Sequence, residues 1–208
     1  MLKNLIRKFR KFNANNSLDK KLLKYLDFRN GFYIEIGAYD GLNQSNTYYY
    51  EKYLDWTGIL IEPSEKQFKK LKRNRSNKNF FYNCACDFQK AKLELVDYGL
   101  ITQNVDNIPN KTIEGQNLLY KQKTFITNTN RLDDLIKKSF VKKIDLLSLD
   151  VEGMELNVLQ GIEFKKFYIK YILVETEDFN KINDYLLNHK YKFLEKFSVH
   201  DYLFIQEE

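Results

Sequence analysis

The 208-residue sequence is poor in the residues that cross-link or interrupt a chain, with two cysteines, two prolines and eight glycines. It has no run of 18 apolar residues, so we expect no transmembrane helix. The first residues also lack the apolar core and small-residue cleavage site of a secretory signal. These absences predict a cytoplasmic protein.

The scarcity of cysteine also limits redox and metal chemistry. Cys84 and Cys86 are two residues apart on a predicted strand, so their side chains should point to opposite faces, which argues against a disulfide. A zinc site would need a second pair of ligands, and His189 and His200 are far along the chain. We expect buried free thiols.

A net positive charge is absent from most of the chain, although the whole sequence carries +6. Residues 1–30 carry +7, with nine lysines and arginines against two aspartates, and the remaining residues sum to −1. A surface built for nucleic acid would show a basic stripe across the domain. The main domain is therefore not expected to bind nucleic acid.

The basic N-terminal segment, residues 1–29, is predicted to be helical. Apolar residues at helical spacing lie between the basic ones in residues 1–12, and a second helix is expected to start at Ser17 as its N-cap. We favour a first helix that covers the domain's own core. The alternative is a contact with a partner or with a membrane surface, which would make the protein membrane-peripheral.

From residue 30 to 208 the pattern alternates between short apolar strands and helices. Such alternation predicts an α/β domain with a mostly parallel, twisted, Rossmann-like sheet and helices on both faces. Residues 91–127 depart from it, since they are polar and strand-like only at 93–97 and 123–126. We expect an inserted hairpin with a long loop there. The predicted strands are 32–36, 58–61, 80–84, 144–150 and 171–175, and the helices between them are 47–54, 65–73 and 155–161.

The loop after the first strand carries two glycines and flanking acids. Gly37 and Gly41 allow a tight turn, and Glu35 and Asp40 add carboxylates. A dinucleotide site would need Gly-x-Gly-x-x-Gly, and these acids would repel a pyrophosphate. The loop suits a ligand with a positive centre and an ammonium group, such as S-adenosylmethionine.

Glu62 follows the second strand, where a carboxylate can accept hydrogen bonds from both hydroxyls of an adenosine ribose. It could instead stabilise the dipole of the following helix, which begins after Pro63. The presence of the glycine loop favours ribose binding. Three further acids, Asp150, Glu152 and Glu155, follow the fourth strand.

Several segments resemble, in order, the motifs of the FkbM family of methyltransferases over residues 30–206. They are Phe-Tyr-Ile-Glu-Ile-Gly-Ala-Tyr-Asp-Gly (32–41), Ser-Asn-Thr (45–47), Gly-Ile-Leu-Ile-Glu-Pro (58–63), Arg-Leu-Asp-Asp-Leu (131–135), Ile-Asp-Leu-Leu-Ser-Leu-Asp-Val-Glu-Gly-Met-Glu (144–155), Leu-Gln-Gly (159–161) and Leu-Val-Glu-Thr (173–176). The resemblance implies a class I, S-adenosylmethionine-dependent O-methyltransferase acting on hydroxyls of sugars, glycans and related natural products. Glu35 departs from the Asp of many members, and 91–127 matches no family motif.

Carried over by position, the resemblance assigns cofactor-binding roles. The methionine part would be held by Gly37, Ala38, Asp40, Gly41, Ser45 and Asn46. Glu62 would hold the ribose, Cys86 and Asp87 would border the adenine, and Asp150 would face the methyl group.

Methyl transfer to a hydroxyl requires a base or a metal near the methyl group. Asp150 is the first candidate base and His200 the second, although His200 could simply lie in a turn between two strands. Asp150, Glu152 and Glu175 could instead hold a divalent metal such as Mg²⁺. Methylation of RNA ribose and a non-catalytic binding module are the alternative functions, and the oligomeric state stays open.

Overall fold

The computed structural model describes residues 11–97, 102–104 and 123–207. Most of the helix predicted for residues 1–12 therefore lies outside the described residues. The ring of Phe12 stacks on Tyr49 with centroids 4.7 Å apart. The described residues contain no helix long and apolar enough to cross a membrane.

The described strands form two sheets. The strands are β1 (Phe32–Ile36), β2 (Thr57–Ile61), β3 (Phe80–Tyr82), β4 (Ala85–Cys86), β5 (Lys92–Asp97), β6 (Thr102–Asn104), β7 (Lys123–Asn130), β8 (Lys143–Leu149), β9 (Tyr168–Glu175), β10 (Tyr191–Lys196) and β11 (Asp201–Gln206). The main sheet has seven strands in the order β10-β11-β9-β8-β1-β2-β3, and β4-β7-β5-β6 form the second. In the main sheet only β11 runs against its neighbours, β9 and β10.

Helices cover both faces of the main sheet, as predicted. They are α1 (Leu18–Leu26), α2 (Tyr48–Leu54), α3 (Glu65–Asn74), α4 (Leu132–Ser139), α5 (Glu155–Gln160) and α6 (Phe179–Leu187). Successive residues of β1 enter different cores, because side chains alternate along a strand. Ile34 joins the core beneath α4, α5 and α6, whereas Tyr33 joins the core beneath α1, α2 and α3.

Two local predictions need correction. The backbone of Ser17 is in the left-handed region, and its side chain makes no capping hydrogen bond. The Asp19 carboxylate instead accepts hydrogen bonds from the backbone N–H groups of Asn13 and Ala14. The strand predicted for 80–84 ends at Tyr82, and Ala85–Cys86 pairs with β7 in the second sheet.

The insertion forms antiparallel strand pairs. β5 and β7 pair antiparallel over the whole of β5, and β6, from within the loop predicted between them, pairs with the last three residues of β5. Residues 105–122 of its loop lie outside the described part of the chain. Cys84 and Cys86 are buried and free.

A buried arginine ties the first half of the domain together. The Arg75 guanidinium is fully buried at the end of α3, 3.1 Å from a Glu35 oxygen on β1 and 2.8 Å from a Glu51 oxygen on α2. It also donates hydrogen bonds to the Tyr33 hydroxyl and to Thr47 Oγ1. Burial raises the pKa of Glu51, but the charge of Arg75, together with hydrogen bonds from Ser76, Arg75 and Tyr33, leaves the pKa lowered.

We expect Arg75→Ala to lower the free energy of unfolding by about 3–5 kcal/mol, because it leaves two buried carboxylates without their cation. The matched control is Arg73→Ala, since Arg73 is an exposed arginine on the same helix. That change should stay within about 0.5 kcal/mol. Urea denaturation followed by circular dichroism measures both. Equal losses in the two variants would contradict the role given to Arg75.

Candidate active site

The carboxyl ends of β1 and β8 meet at the centre of the main sheet. After β1 the chain continues to β2 on one side, and after β8 it continues to β9 on the other side, so the strand order reverses between β1 and β8. Open α/β sheets bind ligands at such a reversal of strand order. The Asp150 backbone N–H donates to the Ile36 carbonyl at 3.2 Å. Any side chain at Gly37, whose φ is +85°, would collide with the Asp150 carbonyl oxygen. Gly37 is thus required for the two strand ends to approach.

Three adjoining cavities open at this edge, and Asp150 borders all of them. The apolar cavity encloses about 670 Å³, including space open to solvent, and lies over the ends of β1, β2 and β4. The loop cavity, about 410 Å³, lies against the Gly37 turn and residues 43–46. The acidic cavity, about 860 Å³, lies beyond β8 and β9. A group at Asp150 can therefore contact occupants of each.

Glu62 borders the apolar cavity at the end of β2, beside Ile61 and Cys86. Its carboxylate accepts hydrogen bonds from the backbone N–H groups of Tyr39 and Ser64, at 2.9 and 2.8 Å. Burial raises the pKa of Glu62 to about 7. Each carboxylate oxygen has a further lone pair for a ligand hydroxyl.

The other wall of the apolar cavity comes from the insertion, through Leu93, Leu95 and Asn104. Their sequence shows no motif that would assign them to the site. Asp87, predicted beside Cys86, lies outside the cavity lining, and its carboxylate accepts from the Phe88 backbone N–H at 2.6 Å.

The loop cavity is bordered by Glu35, Ala38, Ser45 and Asn46. Glu35 is occupied within the protein, since it accepts hydrogen bonds from Ser45 Oγ at 3.0 Å, from the Asn46 backbone N–H at 2.9 Å and from Thr47 Oγ1 at 2.7 Å. The Asn46 side chain differs. Its Nδ2 donates to Ser148 Oγ at 3.0 Å, but its buried Oδ1 has no hydrogen-bond partner among the described residues. That atom is available to a ligand donor.

Asp40 and Gly41 shape the loop rather than line the three cavities. The Asp40 carboxylate accepts from the backbone N–H groups of Leu42 and Asn43, at 3.0 and 2.8 Å. Gly41 has a φ of +78°, and a Cβ there would lie 2.7 Å from Arg75 Cγ. Both residues therefore fix the turn that presents Gly37 and Ala38.

Among the described residues, six carboxyl groups line the acidic cavity. Its acids are Asp150, Glu152, Glu155, Glu175, Glu177 and Asp178, with Lys181 and His200 at its border. Burial, followed by the charges of Glu175 and Glu152, raises the pKa of Asp150 well above its ordinary value. Burial also raises the pKa of Glu175, whose side chain is hydrogen-bonded to Asp150.

Sequence reasoning brought Asp150, Glu152, Glu175 and His200 to one cavity, and the structure places them there. His200 lies in the turn between β10 and β11, where its carbonyl accepts from the Thr176 backbone N–H at 2.9 Å. Among the described residues no group of three or more His, Cys, Asp or Glu side chains has a metal-binding arrangement. Glu177 and Asp178, two and three residues after the end of β9, also line this cavity, and Asp178 was not predicted here.

The order β3-β2-β1-β8-β9-β11-β10, with β11 antiparallel and a cavity at the central strand ends, defines the Rossmann-like fold of class I methyltransferases. The family model of the methyltransferase FkbM domain matches residues 35–193, which is more than half of the chain. The chain belongs to the FkbM family of methyltransferases. A comparison with curated proteins finds no match.

One solved structure supports this fold. The methyltransferase FkbM from Methylobacillus flagellatus KT superposes with a TM-score of 0.52 at 14% identity, over 85% of this chain and 43% of that chain. This chain thus spans less than half the length of that protein. The fibrillarin/Nop5p complex superposes with a TM-score of 0.48 at 11% identity, over 94% of this chain and 81% of that chain.

The raised pKa of Glu62 predicts a pH dependence of stability. Between pH 5 and pH 7 the folded protein holds a proton on Glu62 that the unfolded chain releases, because the pKa rises from 4.5 to about 7 on folding. The free energy of unfolding should therefore fall as the pH rises, by at most about 1.4 kcal/mol per pH unit from this group.

Urea denaturation at several pH values measures this slope. The decrease in stability with pH should be smaller in Glu62→Gln than in wild type, because the variant lacks the Glu62 contribution and keeps that of other buried acids such as Asp150. It should be unchanged in Glu65→Gln, whose carboxylate is exposed and ion-paired with Lys69. The same slope in wild type and Glu62→Gln would show that Glu62 titrates normally.

Proposed function

We propose that this chain is an S-adenosylmethionine-dependent O-methyltransferase that acts on a hydroxyl of a sugar, a glycan or a related small molecule. The observation that carries the proposal is the position of Asp150, which borders the apolar, loop and acidic cavities together. Asp150 thus lies between a compartment suited to a nucleoside and a compartment lined by polar side chains. Membership of the FkbM family supports methyl transfer as the chemistry.

The residues of the first two cavities fit S-adenosylmethionine, which supplies an electrophilic methyl group on a sulfonium centre. Ile61 and Cys86 offer apolar contact to an adenine ring, and Glu62 offers acceptors for the ribose hydroxyls. The unpartnered Asn46 Oδ1 offers an acceptor for the ammonium group. The carboxylates at Asp150 and Glu152 favour a cationic occupant, because opposite charges attract strongly where water is scarce.

Asp150 is the first candidate for the base that removes the proton of the acceptor hydroxyl. A hydroxyl is a poor nucleophile until a positioned base takes its proton. Burial and the neighbouring carboxylates raise the pKa of Asp150, and a cation beside it acts in the opposite direction. Asp150 would thus be ionised most readily when the cationic cofactor is bound. His200 is the second candidate, from the opposite wall of the acidic cavity.

The charge of the acidic cavity bears on the acceptor. Six carboxyl groups against one lysine disfavour phosphate-rich acceptors, because like charges repel in a confined site. This argues against RNA ribose as the acceptor and favours an uncharged or amino-bearing hydroxyl compound. The residues of the cofactor cavities are intact, which argues against a purely structural role for the domain.

We expect Asp150→Asn to lower turnover by about 10²–10⁴-fold, because it removes the base but keeps the side-chain shape. Binding of S-adenosylhomocysteine, measured by calorimetry, should survive. His200→Ala should reduce turnover less, and His189→Ala, the other histidine of the chain, serves as its control. Near-wild-type turnover in Asp150→Asn would refute its role as the base.

The acceptor class is tested with radiolabelled S-adenosylmethionine and a panel of neutral sugars, amino sugars, oligosaccharides and RNA. We expect label in the first three and none in RNA. Repeating the assay after treatment with a chelator tests the alternative that Asp150, Glu152 and Glu175 bind Mg²⁺. Loss of activity that added Mg²⁺ restores would favour the metal over an unaided base.

A further inference from the structure

The amino-terminal edge of the main sheet, opposite the candidate active site, carries a second large hollow. This basic hollow encloses about 1080 Å³, including open space, and lies beside the first residues of β8 and β9 and the ends of α6 and β11. Lys142, Lys165 and Lys190 stand around it, and Tyr168 and Gln206 also line it. Neither the family nor the methyl-transfer chemistry assigns it a role.

The charge of the basic hollow is largely uncompensated. Within the described part of the chain, Lys142, Lys165 and Lys190 have no ion-pair partner, whereas Lys166 pairs with Glu163. The acid Glu207 is also close in the fold, since its backbone N–H donates to the Lys190 carbonyl at 2.7 Å. The hollow therefore presents a positive surface, which attracts an anionic partner.

An exposed aromatic residue, Phe140, lies two residues before Lys142 of the hollow. Phe140 is 91% exposed, the highest value of any large apolar side chain that the structure describes. It ends α4 in a left-handed conformation with φ of 59°, which is uncommon for a bulky residue. The following turn leads to Lys142, whose carbonyl accepts from the Tyr168 backbone N–H at 2.8 Å. An apolar tip beside lysines is typical of surfaces that enter a lipid headgroup layer.

The hollow also contains an unused acceptor. The buried Oε1 of Gln206 has no hydrogen-bond partner among the described residues, although a buried amide oxygen normally has one. A hydroxyl group of a ligand could donate to it. The site thus offers positive charge for phosphate, an acceptor for a hydroxyl and an apolar tip.

We propose that this edge of the protein docks on an anionic phospholipid surface, with Phe140 among the headgroups and Lys142, Lys165 and Lys190 against the phosphates. Nucleic acid fits less well, because the cations of this edge are lysines, whereas arginine is the residue preferred for nucleic-acid recognition. A long lysine side chain can also place its charge in the headgroup layer while its carbons contact apolar groups.

Docking by this edge would direct the candidate active site away from the bilayer. It also differs from the surface next to the start of the described chain, because Ala14 pairs with Gln44 beside the loop cavity, at the opposite edge of the sheet. One flat bilayer can contact only one of these edges. The experiment can therefore distinguish them.

The test is co-sedimentation of the full chain with vesicles of phosphatidylcholine alone or mixed with phosphatidylglycerol. We expect binding to the anionic vesicles only, lost progressively with salt. Lys142→Ala/Lys165→Ala should weaken binding about 30-fold, since each lysine near such a surface contributes about 1 kcal/mol. Phe140→Ser should weaken it about tenfold or more.

The control variants match the test variants in the change of net charge or in the loss of an exposed apolar side chain, but lie elsewhere on the protein. Lys20→Ala/Lys52→Ala removes two exposed lysines elsewhere, and Val199→Ser changes a side chain that is 70% exposed at the opposite edge. Both should bind as wild type does, and unchanged thermal unfolding in all variants excludes misfolding. The proposal is overturned if wild type ignores anionic vesicles, if the controls lose as much, or if Leu5→Ser/Ile6→Ser alone abolishes binding. The hollow would be assigned to nucleic acid if the wild-type protein bound an RNA oligonucleotide but no vesicles, and if Lys142→Ala/Lys165→Ala abolished the RNA binding.

Discussion

The guanidinium of Arg75 is the contact on which the candidate active site depends. It joins the ends of β1, α2 and α3 at one buried point, through Glu35, Glu51, Tyr33 and Thr47. A buried cation is stable only when carboxylates and hydrogen bonds replace its water. The network therefore admits one arrangement of these elements, and the turn that carries Gly37 is held in that arrangement before any ligand binds.

This constraint changes the role of several residues near the cofactor cavities. The Ser45 hydroxyl donates to Glu35 and accepts from the Tyr48 backbone N–H, so little of it is left for a ligand. Glu35 is likewise occupied. Their effect on a ligand is indirect, because they fix the backbone between them and leave Asn46 Oδ1 free at the loop cavity. The acids of the motif thus divide into Glu35, which builds the loop, and Glu62 and Asp150, which are buried but border the apolar cavity.

The ends of the strands can be predicted from the sequence because a short local pattern marks each of them. An apolar run followed by an acid places Glu62 and Asp150 at the carboxyl edge of a parallel sheet, and both lie there. Arg75 was not predicted, since its partners Tyr33 and Glu35 are about 40 residues away in sequence and no local pattern indicates a buried arginine. The Ser17 cap failed for a local reason. The backbone of Ser17 is in the left-handed region, and the Lys20 backbone N–H, which a capping serine could have bound, donates to the Asp19 carboxylate at 2.9 Å.

The two edges of the main sheet carry opposite charge, and the parallel strands explain how this is possible. Every parallel strand presents its carboxyl end to the same edge, so acids that follow strands, such as Glu62, Asp150 and Glu175, accumulate there. Lysines that precede strands, such as Lys142 before β8 and Lys190 before β10, accumulate at the other edge. A nearly neutral domain thereby becomes electrically polar along its strands. Such a field orients the molecule near any charged surface, with the acidic cavity directed away from anions.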